Sequence, residues 1–307
     1  MLGAARGSRG GRARKRLMSY VGRGRHYGWL RPIVERLVLK LAVGGWPARL
    51  ARALGAQRTV NTLVHDVPAA EWPEGLRPLT FAFASDFHAG PTTHPKLIEL
   101  AFERMAAAKP DVLLLGGDFI YIEAAFIEGI ARAAARLEAP LGKFAVLGNH
   151  DLWTDYLHIT RRLEDAGVEV LINRSARLPA PFDHVSICGV DEYWSGDPDA
   201  DRAFAHANGT RVLLMHSPCT LHALNGHRFD LAMCGHTHGG HIALPGGRPI
   251  WIPQAEINAP YVHGRFQLPP PHAGALVVSR GVGALEVPFR SYAPPDVLVV
   301  NFGPPGR

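Results

Sequence analysis

The feature that most constrains this chain is the placement of polar, metal-binding residue types directly after short apolar segments. Residues 79–84, 112–115 and 144–147 have the length and composition of buried strands, and helical patterns lie between them. Strands that alternate with helices predict a sheet covered by helices. Because functional groups in such folds lie past the carboxyl ends of the strands, we expect the polar blocks there to form one site.

The same patterns extend the prediction along the chain. Helices are predicted over residues 96–108, 123–137 and 156–166, and further strands over residues 168–171, 185–190, 212–215, 231–234, 275–279 and 297–301. The segment 244–274 is rich in Pro and Gly, which predicts long loops. Hydrophobic residues make up 47% of the 307 residues, which excludes general disorder. Three cysteines are too few for a disulfide framework and indicate a reducing compartment.

Five polar blocks follow predicted strands. Their members are Asp86 and His88, Asp118, Asn149 and His150, His216, and His236 and His238. Carboxylates, imidazoles and an amide suit borderline divalent metals. Each block alone is commonly a helix cap or a turn. Together, each after a predicted strand, they indicate a metal site with more ligands than one small ion needs.

These blocks resemble the calcineurin-like metallophosphoesterases, whose pattern is D-x-H, G-D, G-N-H-[DE], H and G-H-x-H. The resemblance covers residues 79 to about 300. It implies an α/β fold built as a four-layer α/β/β/α sandwich rather than a single doubly wound sheet. It also implies two divalent ions, for which we expect manganese first, with iron or zinc as alternatives.

The resemblance also assigns the ligands. One ion takes Asp86, His88, Asp118 and His238, and the other takes Asp118, Asn149, His216 and His236, so that Asp118 bridges the two. Two ions about 3.5–4 Å apart clamp a phosphoryl group and lower the pKa of a bridging water toward about 7, which supplies a hydroxide for in-line attack.

His150 is the motif histidine that is not needed as a ligand. The resemblance places it beside the substrate phosphate, where it stabilises the transition state or protonates the leaving oxygen. Asp151 is expected to position the loop through hydrogen bonds to the backbone.

Comparison with the subfamilies indicates which members of the family this chain resembles most. Protein Ser/Thr phosphatases extend the second block to G-D-x-x-D-R-G, which this chain lacks. The widespread UDP-2,3-diacylglucosamine pyrophosphatase has Arg where this chain has His150. Bacterial phosphohydrolases with C-G-H-T-H-G-G-Q and S-R-G-x-G blocks are more similar. They commonly carry a hydrophobic anchor and include a branch that hydrolyses UDP-2,3-diacylglucosamine.

In this chain His241 replaces the Gln of the first of these blocks, and Arg280 lies in the second. Both are candidate substrate contacts, although a structural ion pair is an equal alternative for Arg280.

The basic residues are concentrated at the amino end. Residues 1–60 contain 14 Lys and Arg and one acid, whereas the remainder has a net charge of −7. Residues 1–27 are predicted to be a disordered basic tail, in which Met18 offers a second start. Residues 28–60 are predicted to be an amphipathic basic helical segment, and residues 61–307 the phosphoesterase domain. No stretch is apolar enough for an ordinary transmembrane helix.

The amphipathic segment has two interpretations. Its apolar stripe comprises Leu30, Ile33, Val34, Leu37, Val38 and Leu41. It either packs on the domain or lies, through residues 28–54, on an anionic membrane surface, which Trp29 and Trp46 at its ends favour.

The sequence therefore predicts a two-metal hydrolase of phosphoester or pyrophosphate bonds, acting on a phosphorylated small molecule or a lipid-linked nucleotide such as UDP-2,3-diacylglucosamine. We expect it in the cytoplasm, peripherally bound to the inner face of the cell membrane. The alternatives are a soluble phosphodiesterase acting on cyclic or small nucleotides, and a non-catalytic, basic-tailed binding protein. A nucleic-acid partner is disfavoured because the catalytic part is acidic.

Overall fold

The computed structural model describes residues 30–304. The predicted tail over residues 1–27, and Trp29, lie outside the described residues. The helices are Arg31–Leu41 (α1), Trp46–Ala53 (α2), Pro95–Ala107 (α3), Ile127–Arg136 (α4), Asn149–Leu152 (α5), Tyr156–Asp165 (α6), Ala200–Phe204 (α7) and Ala255–Asn258 (α8). The strands are Asn61–Pro68 (β1), Leu79–Ala84 (β2), Val112–Leu115 (β3), Lys143–Ala145 (β4), Glu169–Val170 (β5), Arg174–Arg177 (β6), Val185–Gly189 (β7), Thr210–Leu214 (β8), Leu231–Cys234 (β9), Ala243–Leu244 (β10), Arg248–Pro249 (β11), Gly264–Gln267 (β12), Ala275–Val278 (β13) and Asp296–Gly303 (β14).

Two six-stranded sheets form the centre of the fold. The strand order is β1-β14-β2-β3-β4-β5 in the first and β12-β13-β9-β8-β7-β6 in the second. Most neighbours are parallel; the antiparallel pairs are β14 with β2, β12 with β13, and β6 with β7. The parallel strands β2, β3 and β4 of one sheet and β8 and β9 of the other carry the polar blocks at their carboxyl ends.

Side-chain alternation in the strands builds the layers. In β2, Phe81 and Phe83 point toward the second sheet, whereas Ala82 and Ala84 point toward the helices. The phenylalanines fill the core between the sheets, while the alanines leave room for α3, α4 and α6 against the first sheet. Phe204 of α7 packs on the outer face of the second sheet. These layers confirm the α/β/β/α prediction.

The predicted strands and helices are present with small shifts at their ends. In the two large sheets the strands β1, β6 and β12 were not predicted, and all three are edge strands whose residues are largely exposed or half-buried. The short pair β10 and β11, beside and within the stretch predicted as loops, was not predicted either. An edge strand buries little apolar surface, so its sequence lacks the pattern from which a strand is predicted.

The amino-terminal segment forms two helices joined at Gly44 and Gly45, both of which have positive φ. The second helix packs on the domain through the buried Ala48 and Ala51, and Gln57 donates to the backbone carbonyl oxygens of Thr92 and Pro288. The first helix has no fully buried residue. Within residues 30–304, no helix combines the length and the hydropathy that crossing a membrane requires.

Candidate metal centre and active site

The seven residues predicted as metal ligands come together where the two sheets meet. Asp86, His88 and His238 form one group, in which the Nε2 atoms of the two histidines are 3.1 Å apart and His238 Nε2 is 3.4 Å from Asp86 Oδ1. Side-chain nitrogen and oxygen atoms of such a group lie within 4.8 Å of one another. Two imidazoles and a carboxylate converging on one point are a donor set that fits a divalent cation.

A second group lies beside the first. His216 Nε2 is 3.0 Å from His236 Nδ1 and 3.2 Å from Asn149 Oδ1. Asp118 Oδ2 is 3.4 Å from His216 Nε2 in this group and 3.5 Å from His88 Nε2 in the other. A single carboxylate oxygen is therefore within reach of both groups, which is the position that a bridging ligand needs.

Neighbouring acceptors orient two of these rings. His216 Nδ1 donates to the carbonyl oxygen of Gly116 at 2.8 Å, so Nε2 is the ring nitrogen that faces the site. His236 Nε2 donates to Gln254 Oε1 at 2.6 Å, which leaves Nδ1 for the site. Such outer contacts fix the tautomer of a metal-binding histidine. Gln254 was not predicted, because it lies in the Pro/Gly-rich stretch without a motif around it.

Backbone geometry brings the blocks close together. Asp86, Asp118, His236 and His238 have left-handed φ values between 52° and 70°, which strand-end turns rather than regular elements adopt. Gly235 allows one of the close approaches, because a Cβ there would lie 2.1 Å from Asp86 Oδ2. The strained turns and the glycine serve the same purpose: they aim side chains from different strands at one point.

Burial and mutual charge set the protonation of the site. Burial lowers the pKa of His88 well below its ordinary value, so the ring is neutral at pH 7. Burial by itself would raise the pKa of Asp118, but attraction to His216 and His150 holds it well below the ordinary range. For His216, burial opposes the charged form, yet Asp118 and Asp86 raise its pKa to about 10. An ionised carboxylate between imidazoles therefore occupies the middle of the cluster.

His150 lies at the rim of the two groups. A ring nitrogen of His150 forms a third group with His88 and Asp118, and its backbone N–H donates to Asp118 Oδ1 at 2.9 Å. Its Nδ1 donates to the carbonyl oxygen of Tyr121 at 2.9 Å, so Nε2 is the atom available to a substrate. Burial lowers the pKa of His150, which keeps the ring neutral until an anion approaches.

Asp151 is buried and accepts hydrogen bonds from the backbone N–H groups of Phe119 at 2.9 Å and Gly148 at 2.9 Å. Burial and the nearby Asp118 raise the pKa of Asp151 to about 8. These contacts join the loop after β3 to the loop after β4, which is the loop-positioning role expected from the sequence.

The two residues predicted as substrate contacts lie farther out. Arg280 Nη1 forms an ion pair with the buried Asp296 at 3.1 Å, which is the contact that the structural alternative describes. His241 Nε2 donates to the carbonyl oxygen of Val287 at 3.0 Å, and its ring lies 5.7 Å from that of His238. Its buried Nδ1 has no hydrogen-bond partner among residues 30–304.

Arg290 is a site residue that sequence reasoning missed. Its guanidinium donates to the carbonyl oxygen of Gly283 and lies 3.0 Å from Nδ1 of His238. Burial lowers the pKa of Arg290 to about 10, and burial together with the Arg290 charge lowers the pKa of His238 well below its ordinary value. The contact therefore orients the ring of a candidate ligand and disfavours its cationic form. A lone Arg in a loop offers no signal in a single sequence.

Comparison with known proteins identifies the family. The profile of the family described as calcineurin-like phosphoesterase matches residues 79–240, which is more than half of the chain and contains every block of the site. The chain belongs to this family. It is therefore a hydrolase, and the family uses a binuclear metal centre.

Several relatives are similar over most of the chain. Phosphodiesterase YaeI of Escherichia coli (strain K12) is 29% identical over 70% of this chain and 79% of its own length. An uncharacterized metallophosphoesterase of Aquifex aeolicus is 29% identical over 82% and 97%, and UDP-2,3-diacylglucosamine pyrophosphatase LpxG of Chlamydia trachomatis is 25% identical over 74% and 84%. Among solved structures, a 5'-nucleotidase precursor from Thermus thermophilus aligns with a TM-score of 0.44 and 16% identity, over 66% of this chain and 49% of that chain.

The arrangement suits hydrolysis of a phosphoester. A pair of divalent ions held there would supply a nucleophilic hydroxide and neutralise phosphoryl charge. The candidate ligands would hold that centre rigidly, because they are buried and three of their rings are fixed by contacts with Gly116, Gln254 and Arg290. His150 Nε2 lies beside the cluster, where it can contact a phosphoryl oxygen or hold a proton for the leaving oxygen.

Proposed function

We propose that the protein hydrolyses the pyrophosphate bond of a lipid-linked nucleotide such as UDP-2,3-diacylglucosamine, on the inner face of the cell membrane. The observation that carries the proposal is the position of α1. Its apolar side chains face away from the domain, while Arg31 on its other side approaches His150 in the site. A substrate with its acyl chains in a bilayer and its head group at the metals would meet both sides of this helix.

The exposed residues of α1 define what we call the apolar face. Their exposed fractions lie between 48% and 65%, and they are Leu30, Ile33, Val34, Leu37 and Leu41. Val38, which the sequence placed in the same stripe, is half-buried. An exposed apolar face of this length is typical of a helix that binds another surface. Arg36, Lys40 and Arg49 are exposed nearby and suit anionic head groups.

The metal assignment forms part of the same proposal. One ion would take Asp86, His88, Asp118 and His238, and the other Asp118, Asn149, His216 and His236. Manganese is the metal we expect first, with iron or zinc as alternatives, since carboxylate, amide and imidazole ligands accept all three. His150 would be the catalytic residue that contacts the reacting phosphate. His241 and Arg280 remain proposed substrate contacts.

A soluble phosphodiesterase acting on cyclic or small nucleotides is the second candidate. The similarity to a relative named phosphodiesterase supports it. In that case α1 would have no membrane partner, and turnover would not depend on vesicles. A non-catalytic binding protein is disfavoured because the candidate ligand set is complete.

A substrate panel separates these proposals. Purified full-length protein with Mn²⁺ would be given bis-p-nitrophenyl phosphate, a cyclic nucleotide, and UDP-2,3-diacylglucosamine with or without anionic vesicles. The proposal predicts turnover of the diester and faster turnover of the UDP-lipid when vesicles are present. Turnover of the cyclic nucleotide alone, unaffected by vesicles, would instead support the soluble phosphodiesterase.

A further inference from the structure

Arg31 connects the amino-terminal helix to the candidate active site. Although 119 residues separate it from His150 in the chain, Arg31 Nη2 lies 3.1 Å from His150 Nδ1 and 3.3 Å from His150 Nε2. His150 Nδ1 already donates to Tyr121, so the Arg31 N–H can donate only to Nε2. The guanidinium therefore lies at the imidazole atom that faces a substrate.

Contacts with Glu35 and Trp153 help to hold this guanidinium in place. Arg31 Nε donates to Glu35 Oε1 at 2.7 Å, one helical turn along α1. The guanidinium carbon also lies 3.9 Å from the centroid of the Trp153 ring, in a cation–π stack. The Arg31 side chain is 25% exposed and that of Glu35 15% exposed, so the pair is shielded from solvent. A guanidinium fixed on two sides is prepared to bind with little further loss of conformational entropy.

The surroundings of Arg31 indicate the chemistry of its ligand. The side of the guanidinium that faces the site meets an imidazole, whereas Glu35 contacts Nε on the helix side. Guanidinium groups bind phosphate through two parallel N–H donors. The same His150 has a ring nitrogen within 4.8 Å of the donor atoms of His88 and Asp118. A phosphate beside Arg31 would therefore be the neighbour of a phosphate at the metal ligands.

We propose that Arg31 binds the second phosphate of a pyrophosphate substrate, the phosphate that departs, while the first is attacked at the metal ligands. This inference rests on the proposed function and deepens it by assigning the residue that binds the departing phosphate. Hydrolysis adds one water across the P–O–P bond. The hydroxyl oxygen bonds to the attacked phosphorus, and the bridging oxygen departs with its electron pair on the second phosphate, whose charge Arg31 balances. The remaining proton is released to solvent.

The test compares Arg31→Met with Arg104→Met in the full-length protein with Mn²⁺. Arg104 is an exposed arginine of α3 and controls for the loss of a positive charge from a helix. The substrates are diadenosine pyrophosphate, UDP-2,3-diacylglucosamine in detergent, and bis-p-nitrophenyl phosphate, which has no second phosphate. We expect Arg31→Met to lower kcat/KM for pyrophosphates about 30–100-fold, the size expected for a lost charged hydrogen bond, and for the diester less than about threefold. Arg104→Met should match the wild type on all three substrates.

A binding measurement gives a second readout. Inorganic pyrophosphate should inhibit diester hydrolysis by Arg31→Met more weakly than by the wild type, whereas inhibition by orthophosphate should stay the same. Arg31→Lys keeps the positive charge but lacks the parallel N–H donors of a guanidinium. Its inhibition by inorganic pyrophosphate should therefore be intermediate between that of the wild type and that of Arg31→Met. An equal loss on all substrates would mean that Arg31 only anchors α1 and would overturn the inference. Wild-type protein that hydrolyses the diester but neither pyrophosphate, or that turns over none of the substrates, would instead refute the proposed function itself.

Discussion

The apolar face of α1 gives a prediction whose size follows from the structure. Ile33 is 59% exposed and Leu37 is 54% exposed, so roughly half of each side chain is still in contact with water. Full burial of such a side chain contributes about 1.5–3 kcal/mol, so each has about 1 kcal/mol left to gain at a bilayer. Replacing both by Gln should therefore weaken vesicle binding by about 2 kcal/mol, or about 30-fold.

The double variant Ile33→Gln with Leu37→Gln should leave the fold unchanged. Gln has a helix propensity similar to that of Leu, and neither side chain belongs to a core cluster. Point substitutions are preferable to deletion of the segment, because Gln57 and the buried Ala48 attach the region to the domain. Hydrolysis of bis-p-nitrophenyl phosphate by the variant should equal that of the wild type.

The assay is co-sedimentation with anionic phosphatidylglycerol vesicles at low salt. Phosphatidylcholine vesicles, whose lipids carry no net charge, are the comparison. The matched control is Val64→Gln, an apolar residue that is 60% exposed on the edge strand β1, away from α1. Binding should also weaken with salt, because basic residues contribute about 1 kcal/mol each at an anionic surface. Wild-type protein that does not bind anionic vesicles, or a double variant that binds as tightly as Val64→Gln, would refute the membrane role of this face.

Three further predictions concern chemistry, packing and charge. His150→Ala should retain both metals by elemental analysis but lose about 10²–10⁴-fold in turnover, with a smaller loss for very good leaving groups; metal loss would make it a ligand instead. Gly235→Ala would place a Cβ 2.0 Å from Ser85 Oγ, so we expect a lower melting temperature and loss of metal, and a variant with normal metal content would contradict the close approach. Burial by itself would raise the pKa of Asp111, but the ion pair with Arg77 holds this pKa below its ordinary value, so the stabilisation is present above about pH 4 and is lost as the pH falls through the folded pKa. Because Arg77 is 58% exposed, the free energy of urea unfolding of Asp111→Asn should differ from that of the wild type by about 1 kcal/mol or less at pH 7, and the difference should shrink toward pH 2; an equal difference at both would exclude the ion pair as its cause.

Much of the fold followed from the sequence because buried strands carry a strong pattern. The segments that became β2, β3 and β9 are wholly or almost wholly buried, and their apolar runs place them within a residue or two. The edge strand β1 escaped prediction because its pairing with β14 depends on backbone hydrogen bonds, to which its mostly exposed side chains contribute little. Pairing across long sequence distances leaves no local signature.

The residues of the site likewise fall into those that the sequence predicted and those that it did not. The candidate ligands were found because their residue types recur in a fixed order after strands. Arg31, Arg290 and Gln254 were missed as site residues because each lies on a helix or loop that only the folded chain brings to the site. The direction of the α1 stripe was also beyond the sequence, since periodicity identifies an apolar face without identifying what covers it.

The central claim is that Asp118 joins two metal sites, and the most direct test is the metal content of Asp118→Asn. Its Oδ2 lies 3.5 Å from His88 Nε2 and 3.4 Å from His216 Nε2, so an amide nitrogen in that place removes a ligand atom from both sites. Elemental analysis should find two metals per chain in the wild type and fewer than two in the variant, with hydrolysis of bis-p-nitrophenyl phosphate lost. Two tightly held metals with unchanged turnover in Asp118→Asn would contradict the bridging role.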